Sequence, residues 1–472
     1  MASSTLPPKF VESLKTILNP TDWVVDGDQL NLYALDWTLG FKPKASGLCF
    51  PRNTQQVSQI LRLCSINKIS IVPSGGRTGL SAGAVAANGE IVLSLEKMNK
   101  TENIDLSSKT IRVEAGVKNQ SVQEICAPYN LHWPVDLASK GSATIGGNIA
   151  TNAGGLRVIR YGHTRNWVLS IETVLMSGEV LELGGGLEKN NAGFDLKQLV
   201  IGSEGTLGVV TAATLKLASL PAESQVCLLG LKRSGDLPLL LNALNTSQAV
   251  ALAFEVGSKK CFDLVCKVRQ LKSPFQKSFD YFVLVEIENF DLPAGVKFLE
   301  NLSSLQQSGV IDEILVSSSD KDKKFFWQFR ENITESLRAT GTVYKNDLSV
   351  PVSKISQFIE ALEAESHKLY PNLEVFLFGH AGDGNVHVNV LNSNAALPAE
   401  RFFKFCEAAN HKLYALVQQF KGSIAAEHGI GLLKKSFLHY TRSQPEIEIM
   451  RQTKNIWDPS GLLNPGKIFS DA

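Results

Sequence analysis

The chain lacks any paired-cysteine motif. Its seven cysteines are dispersed, Cys261 and Cys266 being the nearest two. An odd count without a CxxC argues against a disulfide framework, and against iron–sulfur or zinc–thiolate sites. A reducing compartment is expected. Charge of either sign is equally lacking in excess: 47 basic residues face 46 acidic ones, for a net +1. Neither nucleic acid nor an anionic membrane is therefore an implied partner, and any pull on an anionic substrate must be local. No apolar run reaches membrane-spanning length, so no transmembrane segment is expected. The N-terminal "MASSTLPPKFVESLKTILNP" has neither a signal-peptide apolar region nor arginine enrichment, which makes the cytoplasm the expected location. Histidine is scarce at eight, yet two of the eight sit in one glycine-rich stretch, "HAGDGNVHVNV" (380–390).

At 472 residues the chain exceeds one hydrophobic core, and two or three domains are expected. Residues 47–73 read as strand, helix, strand. Asn53 or Thr54 caps a helix whose Val57, Ile60, Leu61 and Cys64 share one face. "ISIVP" is a short strand running into "SGGRTGLSAGA". "GEIVLSL", "TIRVEAG" and "LSIETVLMSGEVLEL" read as further strands. A Pro-containing polar stretch, "ASLPAESQ", marks a boundary near 218–225. Beyond it, helical patterns such as "VSKISQFIEALEAESHKLY" alternate with strands such as "YFVLVEIEN", which predicts an α+β domain with antiparallel pairing. "DKDKK" (320–324) reads as a solvated loop.

Three glycine clusters punctuate the first half. Ser74-Gly-Gly-Arg-Thr-Gly-Leu80 suggests a dinucleotide loop, but such a loop must open a helix. Here a turn and a strand follow, so the Rossmann reading fails. What remains is a tight turn or a nest of amides for phosphate oxygens. The second cluster, "GSATIGGNIATNAGG" (141–155), holds five glycines, three hydroxyl residues and two asparagines. Such a composition packs poorly but lets backbone approach a flat or phosphorylated ligand. The third, "IGSEGTLGVVT" (201–211), again joins glycine, hydroxyl and a carboxylate ahead of a strand. Three such loops are best explained by one large ligand.

"PSGGRTGLSAGA", "GSATIGGNIATNAGG" and "GSEGTLGVVT" resemble the FAD-binding loops of the vanillyl-alcohol oxidase and p-cresol methylhydroxylase fold. With "YKNDLSVPV", "GHAGDGNVHVNV", "AAEHGIG" and "LNPGK", the chain is similar to the D-2-hydroxyglutarate dehydrogenase family and its D-lactate and glycolate relatives. The likeness runs from about residue 45 to the C-terminus. It implies an α+β protein with a two-subdomain FAD-binding domain (1–218), an α+β substrate-binding cap domain with an antiparallel sheet (219–450), and a C-terminal segment (451–472) returning to the first domain. Ser74, Gly75, Gly76, Arg77, Thr78, Gly79 and Leu80 would hold the pyrophosphate. Ser142, Thr144, Gly146, Gly147, Thr151, Gly154 and Gly155 would line the flavin, with Glu204, Gly205 and Asn464 near it. Some members of the fold attach FAD covalently through a histidine or cysteine of the phosphate loop. That loop has neither here, so non-covalent FAD is expected.

In "VHVNV", strand alternation puts His387 and Asn389 on one face, with His380 across the turn. Two imidazoles are too few for a catalytic metal, and Glu427 of "AAEHGIG" offers a third ligand. This donor set suits Zn2+, Mn2+ or Fe2+. The alternative is a pair of hydrogen-bonded histidines in a solvated turn; the resemblance favours the metal, since the matching family positions bind zinc. Upstream, Arg330 and Thr334 are i and i+4 on an expected helix face and Lys345 opens the next strand. A guanidinium and an ammonium suit a carboxylate, although a surface cluster with Glu331 and Glu335 is equally readable. The family's matching residues hold the substrate carboxylate.

The resulting expectation is an FAD dehydrogenase oxidising a small D-2-hydroxy acid to the 2-oxo acid. A metal would lower the hydroxyl pKa, His428 would act as base, and Arg330, Thr334, Lys345, Asn389 and His428 would contact the substrate. D-2-Hydroxyglutarate leads, ahead of D-malate, D-lactate and glycolate. An electron-transfer flavoprotein or a quinone would accept the electrons, and a homodimer is compatible with the sequence. The rivals are a metal hydrolase whose glycine loops are only turns, and a non-catalytic flavoprotein subunit of an electron-transfer complex.

Overall fold

A computed structural model describes residues 6–38, 40–393 and 397–469. The chain divides into two compact units. One comprises residues up to 155, 161–220 and 427 onward; the other comprises 156–160 and 221–426. The units part at 220/221 and 426/427, where the sequence suggested 218/219 and 450/451. The 427–431 stretch belongs to the first unit because it is bonded there: Ser81 Oγ donates to the Gly429 carbonyl, and the Gly431 amide reaches Glu204.

The first unit carries two four-stranded sheets. Strands β1 (Trp23–Val24), β2 (Gly47–Cys49), β3 (Ile71–Ser74) and β4 (Ile91–Ser94) lie in the order β1-β2-β4-β3, with β2, β4 and β3 parallel. Parallel neighbours need a crossover, supplied by the helix Thr54–Asn67. Asn53 caps it, its side chain accepting from the Gln56 amide, and Val57, Ile60, Leu61 and Cys64 are fully buried, as their spacing predicts. The second sheet uses β5 (Thr110–Glu114), β7 (Val168–Val174), β8 (Val180–Leu183) and β9 (Val209–Lys216), all antiparallel in the order β5-β9-β7-β8. The short strands β6 (Leu131–His132) and β10 (Ala218–Ser219) pair beside it.

The second unit is one seven-stranded antiparallel sheet. Strands β11 (Ser224–Leu231), β12 (Val250–Ser258), β13 (Tyr281–Glu288), β14 (Ile311–Val316), β15 (Gly341–Ser349), β16 (Glu374–His380) and β17 (Asn385–Ser393) take the order β14-β11-β13-β12-β16-β17-β15. On one face Phe282, Phe376, Phe378 and Leu391 pack against Phe262, Phe329, Ile333 and Leu337 of the helices Lys259–Arg269, Asp320–Glu331 and Ile333–Thr340. The rings of Phe262 and Phe329 stack at 4.4 Å. The opposite face of β15 is sealed by the helix Ala399–Gln419. There Asn410 donates to Tyr344 and accepts from Asn346, and Tyr414 donates to Asn346. Every polar group of that network finds a partner, as burial requires.

"DKDKK" is not a loop: Asp320–Lys324 opens the helix Asp320–Glu331, whose first turn is capped by Ser319 and carries Asp320 and Asp322 at the end that favours negative charge. Nor are Arg330 and Thr334 on one unbroken helix. The chain bends at Asn332, the last cap of one helix and the first of the next. Lys345 lies in the middle of β15 rather than at its start.

In the first unit, one buried carboxylate joins three segments. Asp22 is fully buried and accepts from Arg52 Nε at 2.6 Å, Lys97 Nζ at 2.6 Å and Asn19 at 3.0 Å. The Arg52 guanidinium, against the opposing effect of burial and with Lys97 assisting, holds this carboxyl far below its ordinary 3.8. A depressed carboxylate stabilises the fold above its unfolded-state value, and that contribution disappears as pH falls. Asp22→Asn should cost about 1.5–3 kcal/mol at neutral pH, toward the lower figure because Arg52 is half-exposed. Denaturant titrations should show this difference shrinking below about pH 4; a pH-independent difference would contradict the assignment.

Candidate active site

The first unit gathers the glycine clusters. A Cβ on Gly76 would lie 2.1 Å from the Ser142 carbonyl oxygen, and one on Gly75 would lie 2.5 Å from Thr144 Oγ1. The 74–80 loop therefore rests directly on the 142–147 segment, an approach open only to glycine. The second cluster is not a loop throughout: Ile145–Thr151 is a helix, and Gly146 lets it press against Ala115. Arg77 and Glu204 adopt left-handed backbone (φ +56° and +53°). Such conformations are held by their surroundings and concentrate at ligand sites. Ser74 Oγ, Thr144 Oγ1, Ser203 Oγ and Asn464 Oδ1 are buried without a hydrogen-bond partner among the described residues. Buried polar atoms rarely stay unpaired, so this cradle fits a ligand rich in phosphate and ring acceptors and donors, as FAD is.

The tail closes the cradle. The Asn464 amide donates to the carbonyls of Gly83 and Glu204 (3.0 and 2.6 Å), and its backbone amide bonds Ile71. The buried Glu204 carboxylate accepts from the amides of Ile430 (2.7 Å) and Gly431 (2.8 Å). Burial pushes its pKa up, and these two amides pull the other way. Glu204 thus fastens the turn that follows Glu427 and His428. Gly431 cannot be replaced there, since φ is +51° and a Cβ would lie 1.9 Å from the Ser81 oxygen.

In the second unit, strand register lines polar residues along the end of the aromatic face. Glu255 on β12 pairs with His380 on β16; Phe378 pairs with His387 on β17; His387 pairs with Asp347 on β15; and Asn389 pairs with Lys345. Alternation places all six polar side chains on the face that carries Phe376 and Phe378. His380 Nδ1 lies 2.7 Å from Glu255 Oε1, and His387 Nδ1 lies 3.4 Å from Asp347 Oδ1. Asp347 also accepts from Asn385 at 2.8 Å. Each imidazole is thus held at Nδ1 by a carboxylate that is 1% exposed. That arrangement favours the Nδ1–H tautomer and leaves Nε2 as the nitrogen that could ligate a metal. Burial lowers the pKa of His387, Asp347 opposes this, and the neighbouring His380 and Arg330 reinforce the lowering. A neutral imidazole is the form that ligates.

Glu427 enters on the segment leaving this sheet, bonded to Ala426, whose amide donates to the Asp347 carbonyl. Ligand-capable atoms of His380, His387 and Glu427 lie within 4.8 Å of one another. One Glu427 oxygen also accepts from the Gly155 amide at 3.2 Å. His428 is half-buried and stands outside this trio. The donor set fits a borderline divalent cation.

Arg330, 6% exposed, does not join Glu331 or Glu335 in a surface cluster. Its Nε donates to Glu255 Oε2 at 2.6 Å and its guanidinium lies over Phe378, while Glu335 pairs with Arg269. Burial of Lys345 pushes its pKa down to about 8, with Arg338 adding to the effect. Asn389 is 3% exposed and its Nδ2 has no hydrogen-bond partner among the described residues. Thr334 is half-buried in the helix that follows Arg330. Glu255 and Asp347 escaped the sequence reading. A lone carboxylate in the apolar run "VALAFEVGS" was the signal for the first, and two-residue spacing from Lys345 was the signal for the second.

Comparison with known proteins places the chain in a family. The family model for FAD linked oxidases, C-terminal domain, matches residues 220–468, and the FAD binding domain model matches 45–184. A D-2-hydroxyglutarate dehydrogenase of Stutzerimonas stutzeri (strain A1501) is 40% identical over 463 residues, covering 98% of this chain and 99% of its own. One from Xanthomonas citri pv. viticola is 43% identical over 440 residues, covering 93% and 92%. The mitochondrial D-2-hydroxyglutarate dehydrogenase of Arabidopsis thaliana is 35% identical, covering 99% of this chain and 82% of its own. Among solved structures, p-cresol methylhydroxylase superposes with a TM-score of 0.77 at 17% identity, over 98% of this chain and 96% of its own, which speaks to fold alone. By full-length similarity and fold together, this chain belongs to the D-2-hydroxyglutarate dehydrogenase family of FAD-linked oxidases.

Proposed function

We propose that the protein is an FAD-dependent dehydrogenase that oxidises D-2-hydroxyglutarate to the 2-oxo acid with the help of a divalent metal. The observation that carries this reading is the polar ladder on the cap sheet, where His380 and His387 share a face with Lys345 and Asn389, with Glu427 within reach of both imidazoles to complete a two-histidine, one-carboxylate donor set. When bound, FAD supplies a hydride acceptor and the cation, zinc in the first instance or else Mn2+ or Fe2+, lowers the pKa of the substrate hydroxyl. Everything else falls to the chain. His380, His387 and Glu427 hold the metal. The outer nitrogens of Arg330, whose Nε is already engaged, grip a carboxylate together with Thr334, Lys345 and Asn389. His428 takes the hydroxyl proton while C2 gives up its hydride, which leaves C2 doubly bonded to oxygen. Fixing both ends of the substrate brings C2 to reaction distance and excludes the opposite enantiomer.

Residues 74–80, the 142–155 segment with Ser142, Thr144, Gly146, Gly147, Thr151, Gly154 and Gly155, and Glu204, Gly205 and Asn464 form the flavin cradle. With no histidine or cysteine in the 74–80 loop, FAD is held non-covalently. An electron-transfer flavoprotein or a quinone receives the electrons, a homodimer is the assembly we favour, and the seven unpaired cysteines support a cytoplasmic setting. No helix among the described residues is long and apolar enough to cross a membrane.

Anaerobic addition of D-2-hydroxyglutarate to the purified protein should bleach its flavin absorbance, with L-2-hydroxyglutarate inert and D-malate and D-lactate slower. Protein that stays yellow with every hydroxy acid would reduce it to a flavin-carrying subunit; colourless protein would point to the hydrolase reading. Acid precipitation should leave the colour in the supernatant.

The Lys345 pKa gives a second test. Its cation attracts a substrate carboxylate only while protonated, so kcat/KM should fall as pH rises through about 8. The loss should appear in KM. Lys345→Arg, charged throughout, should remove that limb, and Lys345→Met should show the high-KM state at every pH. An unchanged alkaline limb in Lys345→Arg would assign the titration to another group.

A further inference from the structure

Two of the roles proposed above, holding a metal and gripping a substrate carboxylate, converge on one residue that neither role names. Glu255 lies in the middle of β12, is 1% exposed, and is the only charged residue of that strand. Its two oxygens are divided. Oε1 meets His380 Nδ1 at 2.7 Å, and Oε2 accepts from Arg330 Nε at 2.6 Å. Burying an ionised carboxylate is costly unless both lone-pair edges are satisfied, and here each edge is.

We propose that Glu255 is a positioning residue that fixes the metal ligand His380 and the carboxylate-binding Arg330 against each other, so that metal site and substrate site share one anchor. The inference rests on the metal and carboxylate roles assigned above and adds the element that couples them. On the His380 side, a carboxylate at Nδ1 demands the Nδ1–H tautomer and leaves Nε2 as the ligating atom. On the Arg330 side, occupation of Nε fixes the plane of the guanidinium, so its two outer nitrogens face one direction as a fork. Phe378 stands under that plane at 4.9 Å and limits its tilt.

Two acceptor oxygens are what this geometry requires, and an amide has only one. In Glu255→Gln the oxygen can serve Arg330, in which case the NH2 group faces Nδ1, forces the other tautomer and puts a proton on Nε2. Alternatively the oxygen serves His380, and the NH2 group then opposes the Arg330 N–H. Either way one arm fails. Glu255→Asp keeps the charge that Arg330 requires, and so spares the fold, but is one methylene too short to hold both contacts.

The test uses full-length, FAD-replete protein and two readouts. The first is zinc affinity, measured by competition with a chromogenic chelator and independent of turnover. The second is the division between KM and kcat for D-2-hydroxyglutarate at saturating zinc. Glu255→Gln should weaken zinc binding by about 10–100-fold, the range for loss of an outer partner of a metal-bound histidine, or raise KM by a comparable factor with a smaller change in kcat. Glu255→Asp should move at least one of these about 5-fold or more while its flavin spectrum and thermal midpoint stay near the parent's, a pattern that loss of general stability does not produce. A parent that binds zinc, with both variants matching it in affinity and KM, would overturn the role of Glu255 and leave the metal reading intact. A parent that binds no divalent cation would overturn both.

Discussion

A carboxylate buried inside a sheet must be matched by charge and hydrogen bonds, and in the second unit this constraint organises the proposed metal and carboxylate sites. Glu255 has its partners on different elements, His380 on β16 and Arg330 on the helix Asp320–Glu331. Asp347, on β15, plays the corresponding part for His387. Antiparallel register then decides the rest, because Asn389 and Lys345 are two residues along from His387 and Asp347 and must share their face. A one-residue slip of β17 would send His387 and Asn389 to the opposite side, against the helix Ala399–Gln419. The hydrogen-bonded network of Tyr344, Asn346, Asn410 and Tyr414 resists that slip, since it fixes the other face of β15 independently.

In the flavin-binding unit the constraint is space rather than charge. Gly75, Gly76 and Gly146 lie where side chains would strike the Thr144 hydroxyl, the Ser142 backbone and Ala115 respectively, so the clusters pack into one another. Hydroxyl groups of Ser74, Thr144 and Ser203 are left buried and unsatisfied among the described residues. This polar debt suits a cofactor with phosphates and a heteroaromatic ring, and it explains why the composition of the 141–155 stretch looks unlike a core. The Glu204 carboxylate, which the sequence placed near the flavin, is engaged by the amides of Ile430 and Gly431.

Much of this was legible in the sequence, for identifiable reasons. Strand alternation is a short-range rule, so "VHVNV" placed His387 and Asn389 correctly without knowledge of the fold. The helix Thr54–Asn67 announced itself through its cap and its apolar spacing. Glu427 came from a likeness of motif, since no local rule links residue 427 to residue 380. Three features were misread because they depend on tertiary context. "DKDKK" has the composition of a loop, yet capping by Ser319 and packing of Phe326 and Phe329 make it a helix start. The apparent i,i+4 pair of Arg330 and Thr334 spans a bend at Asn332 that periodicity does not reveal. Glu255 was invisible because its partners lie 75 and 125 residues away in sequence.

The most direct test of a metal-assisted dehydrogenase is a titration. Chelator-treated, FAD-replete protein would receive the divalent metal found in the native preparation by elemental analysis, and D-2-hydroxyglutarate oxidation would be followed at each addition. Activity should start near zero, climb linearly and level off at one metal ion per chain, with the flavin absorbance unchanged throughout. Full activity before any metal is added, in protein verified to contain none, would contradict the reading of His380, His387 and Glu427 as the centre of the chemistry.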